Sequence, residues 1–369
     1  MIREGNIGLY ETVCIVMIFL LDKIFYTSTA VIVYKFGTAA WYCTVMSCIL
    51  SILFFLIICI LMRKFPGHNI IEIFELVLGK FIGKITGIAF CIYFTFYTSA
   101  NLREFVDMIK SYNLPRTPAS LIIIIILILT AVIVCLGFET IGRLCAVVFL
   151  PVIFGIVIIF LMASPNYNMS NLAPYLGYGI LNTLKGAVVR SSAYSEVVIL
   201  FFIVNSIHGI DIVKRAGIIS LVLAGTIFGL TTLCYLMTFT YGAGSENISG
   251  LFELSRVIYF SRFIERVESL FLVTWIVPTI LNTAVGFYMA VSIYCQVFDI
   301  KNHIPPTVSF LILLFVGAVL PENFSQLLEL ELVFIREYSF ILNYLIPVFV
   351  LIVSIVMKKG GRKSDVQKN

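Results

Sequence analysis

Residues 9–34 read LYETVCIVMIFLLDKIFYTSTAVIVY, an apolar run long enough to cross a bilayer, and Asp22 and Lys23 interrupt it near its middle. A charged side chain at the centre of a membrane helix costs roughly 2.5–3.5 kcal/mol on insertion scales. Such residues persist mainly where they face a polar cavity or an oppositely charged neighbour. The stretch therefore predicts a membrane span that contributes to a polar site inside the protein.

A second stretch of the same kind occupies residues 180–204, ILNTLKGAVVRSSAYSEVVILFFIV. Its interrupting residues are Arg190, Ser191, Ser192 and Glu196. Arg190 and Glu196 are six residues apart, which places them on different faces of a regular helix. They can pair within the span only if the small polar residues between them break the helix. A break would also expose backbone amides where the helix resumes near Tyr194, and such amides suit a carboxylate.

The whole chain has the composition of an integral membrane protein. Of its 369 residues, 60% are hydrophobic and 12% are charged, and the mean hydropathy is +1.06. A soluble domain carries about 25% charged residues. Because the apolar runs are long and lack strand alternation, we predict an all-α integral membrane protein with about ten transmembrane helices. The predicted spans are residues 9–34, 38–62, 83–109, 119–137, 142–163, 180–204, 215–241, 266–298, 306–320 and 339–357.

The loops between these spans alternate in charge, which predicts the orientation of the protein. One side holds Arg3, Arg63, Lys64, Lys80, Lys84, Arg143, Lys214, Arg215, Lys301 and the basic tail 358–369. Acidic residues dominate the loops of the opposite side. By the positive-inside rule both termini are cytoplasmic, which agrees with an even number of spans. We expect a single transmembrane domain, with spans one to five at about 9–163 and spans six to ten at about 180–357.

Enzymatic chemistry finds no support in the sequence. The nine cysteines lie inside apolar runs without a Cys-x-x-Cys pair, and the three histidines fall in predicted cytoplasmic loops. His-x-x-x-His, Walker A and nucleophile-elbow motifs do not occur. We therefore predict no enzyme, no metal, no cofactor and no nucleic-acid partner. Any transport would be ion-coupled or passive. We interpret the net charge of +5 as the excess of basic residues in cytoplasmic loops that sets the orientation of the protein in the lipid bilayer.

The two interrupted spans define a candidate ligand site. Adjacent residues on a straight helix point about 100° apart, so Asp22 and Lys23 cannot face one neighbour unless the helix unwinds there. After unwinding, Asp22 would receive an ammonium group, and Arg190 or the helix-end amides would receive a carboxylate. The alternative is an ion pair with another helix, for instance with Glu196 or Arg190. The candidate ligand-binding residues are Asp22, Lys23, Phe25, Tyr26, Tyr97, Arg190, Ser191, Ser192, Glu196, Asn282 and Thr283.

Several segments, taken together, resemble a known family. They are residues 262–271 (RFIERVESLF) running into Trp275, residues 114–118 (LPRTP), residues 137–143 (GFETIGR), residues 171–174 (NLAP) followed by Gly179, and Glu196. On these the chain resembles the B subunits of spore germinant receptors, the endospore germination permease family of the amino acid–polyamine–organocation transporter superfamily. The similarity runs over nearly the whole chain.

The resemblance implies the inverted five-plus-five fold of that superfamily, with discontinuous spans one and six. It also implies a protein of the spore inner membrane that binds a small nutrient, such as an amino acid, at mid-membrane. The protein would signal to a receptor A subunit and a lipoprotein C subunit. Where the family usually has small residues at the span-one break, residues 20–25 read LLDKIF. This departure predicts a different ligand or a pocket closed by an internal ion pair.

Two other functions stay open at this point. One is an ion-coupled secondary transporter of amino acids, and the other is a structural subunit with a vestigial cavity closed by ion pairs. The loop 242–264 and the acidic stretch 322–337 are candidate outer surfaces for partners, although a solvated loop is the default interpretation of both.

Overall fold

The computed structural model describes residues 7–207, 209–247, 249–258, 268–331, 335 and 337–361. Within these ranges the chain is almost entirely helical, and a single parallel bridge between Ile7 and Ile207 is the one strand-like pairing. The prediction of an all-α protein is therefore confirmed. The α-helices are α1 Leu9–Phe25, α2 Ser28–Phe36, α3 Ala40–Lys64, α4 Ile70–Leu78, α5 Lys80–Tyr112, α6 Ala119–Cys135, α7 Phe138–Ala163, α8 Ile180–Arg190, α9 Ile199–Phe202, α10 Ile210–Thr238, α11 Tyr241–Glu246, α12 Gly250–Arg256, α13 Glu268–Val297, α14 Ile304–Val319, α15 Phe324–Glu331 and α16 Ile346–Val356.

The predicted spans match these helices to within a few residues at each end. Span one is divided into α1 and α2, and span six into α8, a 3₁₀ segment Ser191–Val198 and α9. Helical runs long and apolar enough to cross a bilayer are Ser28–Lys64, Lys80–Tyr112, Phe138–Asn166, Ile210–Thr238 and Thr274–Val297. Shorter apolar helices are Ala119–Cys135, Ile304–Val319 and Ile341–Val356. These helices support a multi-pass membrane protein, while the number of ten spans and the inverted relation of the halves stay predictions.

Helix α1 is the central element of the fold, because nearly all of its residues from Thr12 onward are buried. It packs against α7, α10 and α13, and α13 in turn makes its most extensive contact with α5. At one end of the molecule the Ile7 amide donates to the Ser206 carbonyl, with the two atoms 3.2 Å apart. The start of span one therefore lies beside the end of span six, and Asp22 and Glu196 are buried inside the protein.

Helix α4 was not predicted, because residues 63–80 were interpreted as a cytoplasmic loop. A capping box begins it: the Asn69 side chain accepts from the Glu72 amide at 2.8 Å, and the Glu72 carboxylate accepts from the Asn69 amide at 3.3 Å. Its apolar face, including Phe74, is buried against the rest of the fold. Gly79, at φ +90°, then turns the chain directly into α5, a backbone conformation that favours glycine.

Helix α12 occupies part of the segment that the sequence assigned to an outer loop. Leu251 and Leu254 are fully buried, and the Ser249 hydroxyl donates to the Phe25 carbonyl at 2.8 Å. This part of residues 242–264 is therefore packed onto the end of α1 and is not a solvated loop. Residues 259–267, which include most of the RFIERVESLF motif, lie outside the described residues, as do residues 362–369 of the basic tail.

Candidate functional site

Span one breaks at Tyr26 and Thr27, between α1 and α2. Tyr26 is extended, with φ −100° and ψ −161°, which frees backbone groups on both sides. The carbonyl of Phe25 accepts from Ser249, and Glu104 Oε1 accepts from both the Thr27 amide (3.1 Å) and the Thr27 hydroxyl (2.7 Å). Side chains from distant segments therefore satisfy the backbone that the break exposes.

The break falls at the end of residues 21–26, the stretch around which the sequence predicts it, and Asp22 and Lys23 themselves are not unwound. Both residues lie in the regular part of α1, three to four residues before the break. They point to different neighbours, as adjacent helical residues must, and each finds a polar partner there. Unwinding is therefore not needed to satisfy their charges. The break instead occurs where Glu104 and Ser249 can bond the freed backbone groups.

Span six is interrupted where the sequence predicted it. Ser191–Val198 forms a 3₁₀ segment, and a regular α-helix resumes only at Ile199, not near Tyr194. Neighbouring spans bond this segment. The Ser51 hydroxyl donates to the Ser191 carbonyl at 3.0 Å, and the Asn343 amide donates to the Ser195 hydroxyl at 2.8 Å. These contacts stabilise the tighter helix in place of the usual i to i−4 ladder.

Lys23 joins the two interrupted spans. Its Nζ lies 2.6 Å from Glu196 Oε2 and donates to the Ala193 carbonyl at 2.9 Å. The side chain of Glu196 is fully buried and that of Lys23 is 12% exposed. The same Nζ lies 5.9 Å from the centre of the Tyr97 ring, within the range of a cation–π contact. The interhelical ion pair that the sequence offered as an alternative is therefore present, between Lys23 and Glu196.

Asp22 faces the polar stripe of α13. Thr279 donates to Asp22 Oδ1 at 3.0 Å, and the hydroxyls of Tyr26 and Thr279 lie 3.4 Å apart. One turn further on, the Asn282 amide donates to the Phe19 carbonyl at 3.1 Å. Asp22, Tyr26 and Asn282 are thus brought together on the buried face between α1 and α13.

Tyr97 also reaches the polar site, since its fully buried ring lies between Lys23 and Phe19. Its phenolic oxygen faces the Asn282 side chain, so Tyr97 belongs to the same polar cluster as the residues of α13. Tyr93, one turn earlier, places its hydroxyl 3.5 Å from Glu196 Oε1.

Four predicted site residues lie in the apolar core or bond the backbone. The Phe25 ring packs on Phe271, with ring centres 5.9 Å apart. The Thr283 hydroxyl donates to the Thr279 carbonyl of its own helix at 2.9 Å, and the Ser191 hydroxyl donates to the Val188 carbonyl of α8 at 2.7 Å. Ser192 is buried in the 3₁₀ segment.

Arg190 lies apart from Glu196, so the pairing within span six does not form. It donates instead to the hydroxyl of Ser28. Arg190 is the last residue of α8 and Ser28 is the first of α2, so this bond joins the ends of the two helices beside their breaks. The guanidinium also complements the negative end of the α8 dipole.

A cavity of about 370 Å³ opens between α2 and α8, next to this contact. Its charged lining residues are Lys35, Lys185, Arg190 and Glu337. Lys35 and Glu337 form an ion pair of 2.8 Å in which both side chains are more than two-fifths exposed. Among the described residues the lining carries three cations and one carboxylate, a balance that favours an anionic ligand. We call this cavity the vestibule.

Glu104 and Thr279 are the functional candidates that the sequence interpretation missed. Glu104 follows Arg103 and precedes Asp107, so it looks like one more charge near the end of a span. In the structure Arg103 pairs with Asp107 at 2.8 Å, while Glu104 points the other way and is fully buried. Helical spacing was the available signal, because Glu104 lies two turns from Tyr97 on the same face of the helix.

Comparisons with known proteins agree with this architecture. A family model described as spore germination protein matches residues 6–327. The chain belongs to the spore germination protein family. Among curated relatives from Bacillus subtilis (strain 168), spore germination protein YndE is 24% identical over 338 residues, covering 87% of this chain and 88% of that protein. Spore germination protein KB is 21% identical over 336 residues, which cover 89% of this chain and 90% of that protein. Spore germination protein A2 is 22% identical over 332 residues, which cover 86% of this chain and 87% of that protein.

In this spore germination protein the two interrupted spans therefore form one polar unit. In its inner part the Lys23 ammonium pairs with the Glu196 carboxylate, and Asp22 accepts a hydrogen bond from Thr279. Its outer part is the vestibule, where Arg190 meets an open cavity.

Proposed function

We propose that this protein is the ligand-sensing membrane subunit of a nutrient receptor that acts in spore germination. It binds a small molecule such as an amino acid beside the breaks of spans one and six. It passes the signal to a receptor A subunit and a lipoprotein C subunit in the spore inner membrane, with both termini on the core side. The germination-protein family and the names of the relatives support this role.

The observation that carries the proposal is the vestibule. Its volume of about 370 Å³ lies within the range of small-molecule pockets, roughly 300–1,000 Å³. Arg190, Lys35 and Lys185 line it, and a guanidinium binds a carboxylate with directional, charge-assisted hydrogen bonds. We therefore expect a nutrient that carries a carboxylate, with Arg190 as its principal contact.

The mechanism follows from the two short helices that line the vestibule. Helices α2 and α8 are each separated from the rest of their span by a break, and we propose that both shift relative to α1 when the ligand binds. A carboxylate bound by Arg190 competes with the hydroxyl of Ser28, which now joins the two helices. A ligand shifts the equilibrium between two packings only by its difference in affinity for them. The partner subunits would then detect the new position of α2 and α8.

A ligand screen on the purified protein tests the proposal. Amino acids, sugars and nucleosides are added at millimolar concentration and thermal unfolding is followed. A ligand at one hundred times its dissociation constant stabilises by about 2.7 kcal/mol. We expect a carboxylate-bearing compound to stabilise the wild-type protein but not Arg190→Gln. The matched control is Arg215→Gln, an exposed arginine at the start of α10. A response that Arg190→Gln leaves unchanged would overturn the assignment.

A closed structural subunit is a second candidate, which the buried Lys23–Glu196 pair favours. It predicts that no compound binds even with both partner subunits present, and that charge variants impair assembly alone. An ion-coupled secondary transporter of amino acids is a third candidate, since interrupted helices are typical of transporter sites. Gradient-driven uptake into proteoliposomes that contain only this chain would support that function.

A further inference from the structure

Three different groups converge on the ammonium of Lys23, and each is a ligand for a cation. The Glu196 carboxylate lies 2.6 Å from it, the Ala193 carbonyl accepts at 2.9 Å, and the Tyr97 ring centre is 5.9 Å away. A carboxylate, a carbonyl and an aromatic face together resemble the surroundings of a bound alkylammonium ion.

These groups come from rigid and buried parts of the fold. Ala193 and Glu196 are three residues apart in the 3₁₀ segment, whose three residues per turn place them on one side. The Glu196 and Tyr97 side chains are fully buried. Lys23 reaches them from another span, through a flexible chain of methylene groups. The cation and its site therefore belong to separate elements of the structure.

We propose that Ala193, Glu196 and Tyr97 form a binding site for a primary ammonium ion, and that Lys23 occupies it as a ligand tethered to the chain. The tether fixes α1 to span six without a free cation. Removal of the Lys23 side chain leaves a site that accepts a free primary amine. The proposal stands whether or not the vestibule binds a nutrient.

The tethered Lys23 also limits which nutrients the proposed receptor would bind. Unlike the rest of this proposal, this consequence rests on the proposed function. A free amine loses translational and rotational freedom when it binds, whereas the Lys23 ammonium is already held beside the site by its own chain. We therefore expect that a nutrient amine does not displace Lys23. The vestibule would bind the carboxylate of the nutrient, and binding would not require a free amino group on the nutrient.

The test uses the fact that Lys23→Ala removes the equivalent of n-propylammonium. Thermal unfolding of Lys23→Ala is measured with n-propylammonium chloride, tetramethylammonium chloride or sodium chloride at equal ionic strength. We expect n-propylammonium to raise the melting temperature by several degrees in a saturable manner, and the other two salts to have little effect. The wild-type protein should show no such response. An equal effect of all three salts would overturn the proposal.

The double variant Lys23→Ala/Glu196→Gln is the matched control. It lacks the carboxylate, so n-propylammonium should no longer stabilise it. If Lys23→Ala fails to fold, comparing the amounts of the two variants in membranes still tests the proposal. Because an unpaired buried carboxylate is more unfavourable than a neutral amide, the double variant should accumulate in membranes to a higher level than Lys23→Ala. If Lys23→Ala accumulates as well as the double variant, or if n-propylammonium stabilises both equally, the proposal is wrong.

Discussion

Replacing Glu104 tests how the break in span one is held. Glu104 Oε1 accepts from the Thr27 amide at 3.1 Å and from the Thr27 hydroxyl at 2.7 Å. A hydrogen bond to a charged group contributes about 1.5–3 kcal/mol, so the loss of both in Glu104→Leu should cost about 3–6 kcal/mol of unfolding free energy. Glu104→Gln keeps a hydrogen-bond acceptor but removes the negative charge at the N-terminus of α2. It should lower the unfolding free energy by about 1–3 kcal/mol.

Chemical unfolding of the purified protein in detergent micelles measures these differences. The control is Glu139→Gln, which removes an exposed carboxylate paired with Arg143 one turn away and should change stability by less than about 0.5 kcal/mol. A double-mutant cycle with Thr27→Val isolates the hydroxyl bond. A Glu104→Leu protein within about 1 kcal/mol of wild type, or additivity of Thr27→Val and Glu104→Leu within about 0.3 kcal/mol, would refute the reasoning.

Three further predictions concern other contacts. Ser249→Ala removes the donor to the carbonyl that ends α1, and should lower the unfolding free energy by about 0.5–1.5 kcal/mol, measured by the same unfolding assay. Gly217→Ala places a Cβ against the buried ring of Phe55, where there is no room for it, so overpacking should lower the unfolding free energy by about 1–3 kcal/mol. A melting temperature equal to that of wild type would contradict this packing. The exposed Lys35–Glu337 pair should contribute less than about 1 kcal/mol in a double-mutant cycle at low salt, and a larger coupling would show that the pair is more strongly held than its exposure indicates.

The spans were predictable because long apolar runs leave few alternatives in a membrane protein. Residues 119–137 and 142–163 became α6 and α7 with nearly the same ends. Helix α4 was missed, although its Asn69…Glu72 capping box is visible in the sequence. Helix α12 gave no comparable signal, because its burial depends on contacts with segments far away in the chain.

The residue at which α1 ends could be predicted only to within residues 21–26, and the reason is tertiary. Asp22 and Lys23 mark polar surroundings, but their charges are satisfied by Thr279 and Glu196 without unwinding. The groups that fix the break are Glu104 and Ser249, which are 77 and 224 residues from their partners in the chain. In span six the signal was local, since small polar residues lay at the break itself.

The most direct test of the account is the nutrient response of spores whose only copy of this protein carries Arg190→Gln. The account predicts that the nutrient concentration for half-maximal germination rises by about 10–100-fold, the equivalent of one lost charge-assisted hydrogen bond. Spores with Arg215→Gln should respond like wild type, and immunoblots should show equal amounts of protein in the membrane. An unchanged dose response with Arg190→Gln present at the normal level would contradict the claim that the vestibule senses the nutrient.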